Sequence, residues 1–259
     1  MLIQTYFELA KRRIIRLLMS LEQIFEVTHQ WGQAEKPVTS RALNGWSKYM
    51  SKYEKILIIV LLGSLWGALE LFGRDILRAM NMPQKSAILF GLGIIILYAS
   101  KRLVHFPGSV VIMALIAGAF KTASSHFYPC QFAAVMINGI VFDATYTAFR
   151  GRLDASLINR IIAAPVITYV SYAAFAVFAT YLLREASWVA DGWAGIRAYL
   201  LGSATTAALI SIVTIHIGYY LGNAFRPETL LSRLRIPITA FRIIAVVLVA
   251  AIWVSGQLL

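Results

Sequence analysis

This chain is poor in charge and has almost no cysteine. Only 14% of its 259 residues are Asp, Glu, Lys or Arg, against roughly 25% in an ordinary soluble domain. That scarcity excludes a large water-facing surface. Cys130 is the one cysteine, which excludes an internal disulfide and leaves the redox compartment unmarked. Histidine is scarce too. His126 and Cys130 stand four apart, but Pro129 disturbs helical register between them and two ligands are too few for a centre, so no metal is expected. A G-x-S-x-G elbow, an H-E-x-x-H pair and a Walker A loop are all missing. No enzyme activity and no cofactor are therefore expected, and any use of ATP falls to a separate subunit. The N-terminus lacks a short apolar core followed by a small-residue cleavage site, so no cleavable leader is expected.

What the chain does have is apolar length. Hydrophobic residues make up 59% of it and its mean hydropathy is +0.70. Several runs approach the roughly 20 apolar residues that cross a hydrocarbon core, and they are too long and too little alternating for a β-barrel. The expectation is an all-α, polytopic membrane helix bundle. It has a six-helix core, a seventh C-terminal helix and an N-terminal amphipathic helix.

Four segments follow. Within residues 1–30, Ile3, Phe7, Ala10, Ile14, Leu17, Leu21 and Ile24 recur at helical spacing around Lys11, Arg12, Arg13 and Arg16. Those cations rule out a span and fit a helix lying on the membrane surface or docking on a cytoplasmic partner. Residues 31–54 form a polar linker. Residues 55–225 hold the membrane core, with spans expected at 56–72, 86–100, 108–120, 127–149, 161–183 and 198–222. The second and third are short, and the loop 184–197 carries Trp188 and Trp193, suited to an interface. Residues 226–259 combine a basic loop with a further helix at 243–259.

Net charge is +12. No basic stripe with interleaved aromatics stands outside the N-terminal helix, so no nucleic acid is expected. The cations read instead as orientation signals. Eighteen Lys and Arg fall in loops on the side of the N-terminus and six on the other. This places the N-terminus in the cytoplasm and the C-terminus outside a cell (inner) membrane.

Polar residues then gather on the outer half. Glu70, Arg74, Asp75 and Arg78 end the first span. Lys121, Ser124, Ser125 and His126 follow the third, and Gln131 and Asn138 enter on the fourth. A few polar groups in an apolar cup are what a ligand site requires. Glu70, His126, Gln131 and Asn138 are the candidate ligand contacts. Plainer readings stand beside them. Glu70 and Arg74 are an i,i+4 pair with the acid first, a favourable order. Asn138 is equally suited to a hydrogen bond between helices. Asp143 is expected to pair with a basic residue of 150–160 or of another helix, and His216 to bond within the bundle. Gly63 with Gly67, Ser64 with Ala68, and Gly218 with Gly222 are small pairs four apart that let backbones approach closely.

The stretches SLWGALELFGRDIL, KRLVHFPGSVVIMALIAGAFKTAS and PCQFAAVMINGIVFDA together resemble the core of S components of energy-coupling factor (ECF) transporters, over roughly residues 55–225. The resemblance implies a membrane protein that binds a micronutrient (a vitamin, a precursor or a metal) at its outer face. It implies docking on a transmembrane T subunit driven by two ATPase subunits, through a small-residue surface that Gly63 and Gly67, or Ser64 and Ala68, would supply. The N-terminal basic helix and the seventh helix depart from the family pattern. The leading expectation is thus the substrate-binding subunit of an importer, with membrane lipid, a small-molecule ligand and the T and ATPase subunits as partners. A membrane assembly protein is the alternative, and an integral membrane enzyme acting through Glu70 or Asp143 is a third.

Overall fold

A computed structural model describes residues 52–122, 129–149, 152–225 and 238–257; the N-terminal helix expected within residues 1–30, and His126, lie outside them. Among the described residues the structure is helical, with no strands. The helices are α1 (Lys52–Ala79), α2 (Lys85–Leu103), α3 (Ser109–Thr122), α4 (Pro129–Ala148), the single turn α5 (Arg152–Ala155), α6 (Leu157–Val177), α7 (Ala186–Tyr199), α8 (Thr205–Ala224) and α9 (Ile238–Gln257). A π-helical turn, Phe178–Leu182, extends α6, and a second, Leu200–Ala204, joins α7 to α8. Five of these helical stretches are long and apolar enough to cross a membrane: 53–79, 85–103, 157–182, 186–224 and 239–256. The chain is thus an all-α bundle compatible with a multi-pass membrane protein. The short second span expected at 86–100 gains a turn at its end and reaches 19 residues. The third stays at 14 residues, a rise of only about 21 Å.

The helices form a closed annulus. Each of six packs on two neighbours, in the order α1, α3, α4, α6, α8, α2 and back to α1, while α9 packs on the outside of α1. Glycines set the seams. A Cβ at Gly218 would lie 2.8 Å from the Ile95 carbonyl, and one at Gly222 would lie 2.7 Å from Cβ of Arg102. Only glycine lets α8 come this close to α2. Trp66, Tyr98, Met113, Phe142 and Ile167 fill the interior and are almost fully buried.

Two expectations about loops are corrected. The segment 184–197 is helical from Ala186, its alanines favouring helix over loop. It breaks only at Gly192, whose φ of 50° and ψ of −138° suit glycine. A straight helix would hold Trp188 and Tyr199 about 16 Å apart. Their rings sit 4.9 Å apart, so the break turns the segment back on itself. Second, the helix expected from 161 starts at Leu157, which puts Pro165 in its interior.

Lys101, Arg102 and Arg160 are not loop cations either. Each is more than nine-tenths buried in a layer of ion pairs at one end of the annulus. Lys101 Nζ donates to Asp143 Oδ1 at 2.7 Å and to the Phe106 carbonyl at 3.0 Å. The other oxygen of Asp143 accepts the Gly108 N–H at 2.8 Å. Arg102 pairs with Asp154 at 3.0 Å and bonds Asn223 of α8. Asp154 also accepts the Tyr98 and Tyr146 hydroxyls, at 3.0 and 2.6 Å. Arg160 donates to the Leu153 carbonyl at 2.9 Å and lies 3.9 Å from the centre of the Tyr219 ring. Asp143 thus finds its cation on another helix, and the 150–160 segment supplies an acid to the layer.

Removing one partner of such a pair strands a buried charge. Lys101→Met is expected to lower stability by about 3–5 kcal/mol, and Lys101→Met with Asp143→Leu to restore most of it. Chemical unfolding in detergent checks this. A double variant no better than the single one would mean that the pair is not the main tie.

Candidate functional site

The opposite end of the annulus carries a cavity of about 680 Å³. The C-terminal half of α1, the start of α2, the end of α3, the start of α4, the end of α6 and the α7–α8 junction all contribute to it. Three of the four candidate ligand contacts meet there. Glu70, Gln131 and Asn138 line the cavity, and His126 lies outside the described residues.

Glu70 is committed to a partner other than the one its helical spacing suggests. Lys121 Nζ of α3 donates to Glu70 Oε2 at 3.0 Å, whereas Arg74 is solvent-exposed. The reason is the approach of α1 to α3. A Cβ at Gly67 would lie 2.8 Å from Cβ of Phe120, and one at Gly63 would lie 2.9 Å from the Met113 carbonyl. This closeness lets a lysine on α3, 6% exposed, reach an acid on α1. A buried ammonium needs such a partner. Gln131 and Asn138 are half-buried and have no protein hydrogen-bond partner among the described residues. The alternative of an interhelical bond for Asn138 is therefore not observed. His216 bonds the Ile212 carbonyl of its own helix at 2.6 Å rather than another helix.

Most of the rest of the cavity wall carries no obvious mark in the sequence. Phe90, Tyr172, Phe175 and Tyr199 form an aromatic side. Tyr172 and Tyr199 stack at 5.0 Å and 24°, and Trp188 meets Tyr199 edge-on at 87°. Tyr172 and Phe175 are three apart on α6, a helical spacing that could have flagged them. Tyr199 could not have been flagged, because it enters the wall through the fold-back at Gly192. The π turn after Tyr199 brings Ser203 to the cavity, and such turns concentrate at functional sites. Arg74, Arg78 and Lys85 complete the rim.

The four small residues expected to dock another subunit are engaged inside the chain. Gly63 and Gly67 receive α3. Ser64, fully buried, accepts the Trp253 Nε1 hydrogen bond from α9 at 2.9 Å, and Ala68 is also buried. They pack helices of this chain and are not an open surface.

No family model, no curated protein and no solved structure matches the chain.

Gly67→Val is expected to destabilise the protein by about 1–3 kcal/mol through overpacking. Gly202→Ala, where nothing lies within 4 Å of the added carbon, should change little. Paired thermal unfolding in detergent checks the contrast; equal melting would mean that α1 and α3 do not pack as described.

Proposed function

We propose that the chain captures a small solute within the membrane, as the ligand-binding subunit of an importer of the kind that S components serve. The observation carrying this reading is one cavity, of a size suited to small molecules, in which Glu70, Gln131 and Asn138 converge from α1 and α4. Two unpartnered amides beside an aromatic wall give a ligand both orientation and contact area. Among the described residues, no nucleophile with an adjacent base lines the cavity.

The cavity faces outward in this reading. Setting aside the buried cations Lys101, Arg102, Arg160 and Lys121 leaves the Lys/Arg bias on the side of the N-terminus, so that end is cytoplasmic and the cavity end is outside. Coupling to a T subunit and its ATPases belongs to the same proposal, with one constraint. The surface around Gly63–Ala68 is covered, so a partner engages a different face or displaces α9. Among the contacts that hold α9 are Arg242 to Glu54 at 2.6 Å, Trp253 to Ser64, and Trp253 against Phe120 at 5.4 Å.

The lone Cys130 lines the cavity and serves as a natural reporter. A membrane-impermeant maleimide is expected to label it from outside intact cells. Mass spectrometry of the gently purified protein should find a retained small molecule that shields it. Asn138→Leu should lose that molecule while melting normally. Labelling only from the cytoplasmic side would overturn the orientation. A protein that stays empty after exposure to a whole small-molecule extract would overturn the capture role.

A further inference from the structure

We propose that the solute is an organic anion, a carboxylate- or phosphate-bearing molecule built on a flat ring. This rests on the capture reading and narrows it.

The charge balance of the cavity carries the inference. Four cations line it, Arg74, Arg78, Lys85 and Lys121, against one carboxylate, Glu70. Lys121 and Glu70 satisfy each other at 3.0 Å. Arg74, Arg78 and Lys85 have no acidic partner among the described residues. Arg74 and Arg78 stand one turn apart at the end of α1. Lys85 opens α2 directly across the turn, where Asn81 and Gln84 hold positive φ. Three like charges held around one concavity raise the local concentration of anions and repel cations.

The backbone adds to this field. α2 begins at the cavity with Gln84, Lys85 and Ser86 in its lining, and no side chain caps it. The N-terminus of a 19-residue helix presents partial positive charge and N–H donors toward an acidic group.

Behind the charged rim the wall turns aromatic and buried. Phe90 and Tyr172 are 5% and 4% exposed, and the stacked rings of Tyr172 and Tyr199 both line the cavity, an aromatic surface of the kind that takes a ring. One further group points to a ligand. Ser171 is fully buried, its hydroxyl has no hydrogen-bond partner, and it lines this cavity. A buried hydroxyl without a partner is costly, and a polar atom on a bound ring removes the cost. The ligand therefore lies with its acid at the rim, against Arg74, Arg78 and Lys85, and its ring inside, against Tyr172 and Tyr199. Gln131 and Asn138 read its polar edge.

The test uses the full chain in nanodiscs of neutral phosphatidylcholine. Matched acid, carboxamide and amine derivatives of naphthalene and of indole serve as probes, and binding is read by saturation-transfer NMR. The acids should bind at least about tenfold more tightly than the carboxamides, the scale of one charge-assisted hydrogen bond, with the amines weakest. Added salt should narrow the gap. The combined Arg74→Gln, Arg78→Gln, Lys85→Gln variant should lose the preference for acids while binding carboxamides as before, which a misfolded protein would not do. Carboxamides or amines binding as well as the acids would overturn the anionic assignment and leave the capture role standing. Displacement of the acids by phosphatidylglycerol built into the nanodisc would assign the cations to a lipid headgroup and overturn the soluble solute. Binding of none of the probes and of nothing from a whole small-molecule extract would overturn both readings.

Discussion

A charge cannot be left alone in hydrocarbon, and most of this architecture follows from how the chain meets that constraint. Lys101 and Arg102 are consecutive in the last turn of α2, so they point to different neighbours. Lys101 takes Asp143 of α4 and the loop carbonyl of Phe106; Arg102 takes Asp154 of α5 and Asn223 of α8. One dipeptide thereby fixes the ends of four elements. The aromatic hydroxyls of Tyr98 and Tyr146 complete the coordination of Asp154, which is what makes a buried carboxylate tolerable. Because each cation has its own acid on a different element, sliding α2 by one residue would take both away from their partners.

The second constraint is distance. Between membrane helices apolar contact with a neighbour is no better than contact with lipid, so close packing and hydrogen bonds supply the association. Gly218 and Gly222 seat α8 on α2, and Gly63 and Gly67 seat α3 on α1. Those seams close the annulus. α9 is held differently. Most of its surface faces outward, with Ile243, Ile244, Val246, Val247, Leu248 and Val254 exposed. Its grip comes from a polar contact near each end, Arg242 to Glu54 and Trp253 to Ser64. It covers Ser64 of α1 and adds Ala245 and the packed Phe241 ring to the buried side of the bundle.

The sequence reveals the helical class and the residues of close approach, because hydropathy and small-residue spacing are local signals. It also points to the cavity end, since Glu70, Gln131 and Asn138 sit on the same side of any alternating topology. What it hides is partner choice. Glu70 has an acid-first partner four residues away, yet it bonds Lys121, because nothing local encodes how near α3 comes. Lys101, Arg102 and Arg160 look like loop charges at span ends, although each is buried. Tyr199 joins the aromatic wall only because Gly192 breaks α7, and a glycine in an alanine-rich helix is a weak sign of a fold-back.

The two ends of the annulus then differ in a way that bears on function. At the Lys101–Asp154 end two buried ion pairs form, Arg160 leans on the Leu153 carbonyl and the Tyr219 ring, and the Phe106–Gly108 loop is tied to Lys101 and Asp143. At the cavity end Glu70 neutralises Lys121, and three further cations, two amides and the Ser171 hydroxyl are left without protein partners among the described residues. Glu70 is thus better understood as a regulator of charge than as a contact for the ligand. Without it Lys121, 6% exposed, would lose the carboxylate it meets at 3.0 Å, and breaking a buried pair is costly. With the pair formed, the cavity cations that face no acid among the described residues are Arg74, Arg78 and Lys85, the three on which the proposed selection of an anion rests.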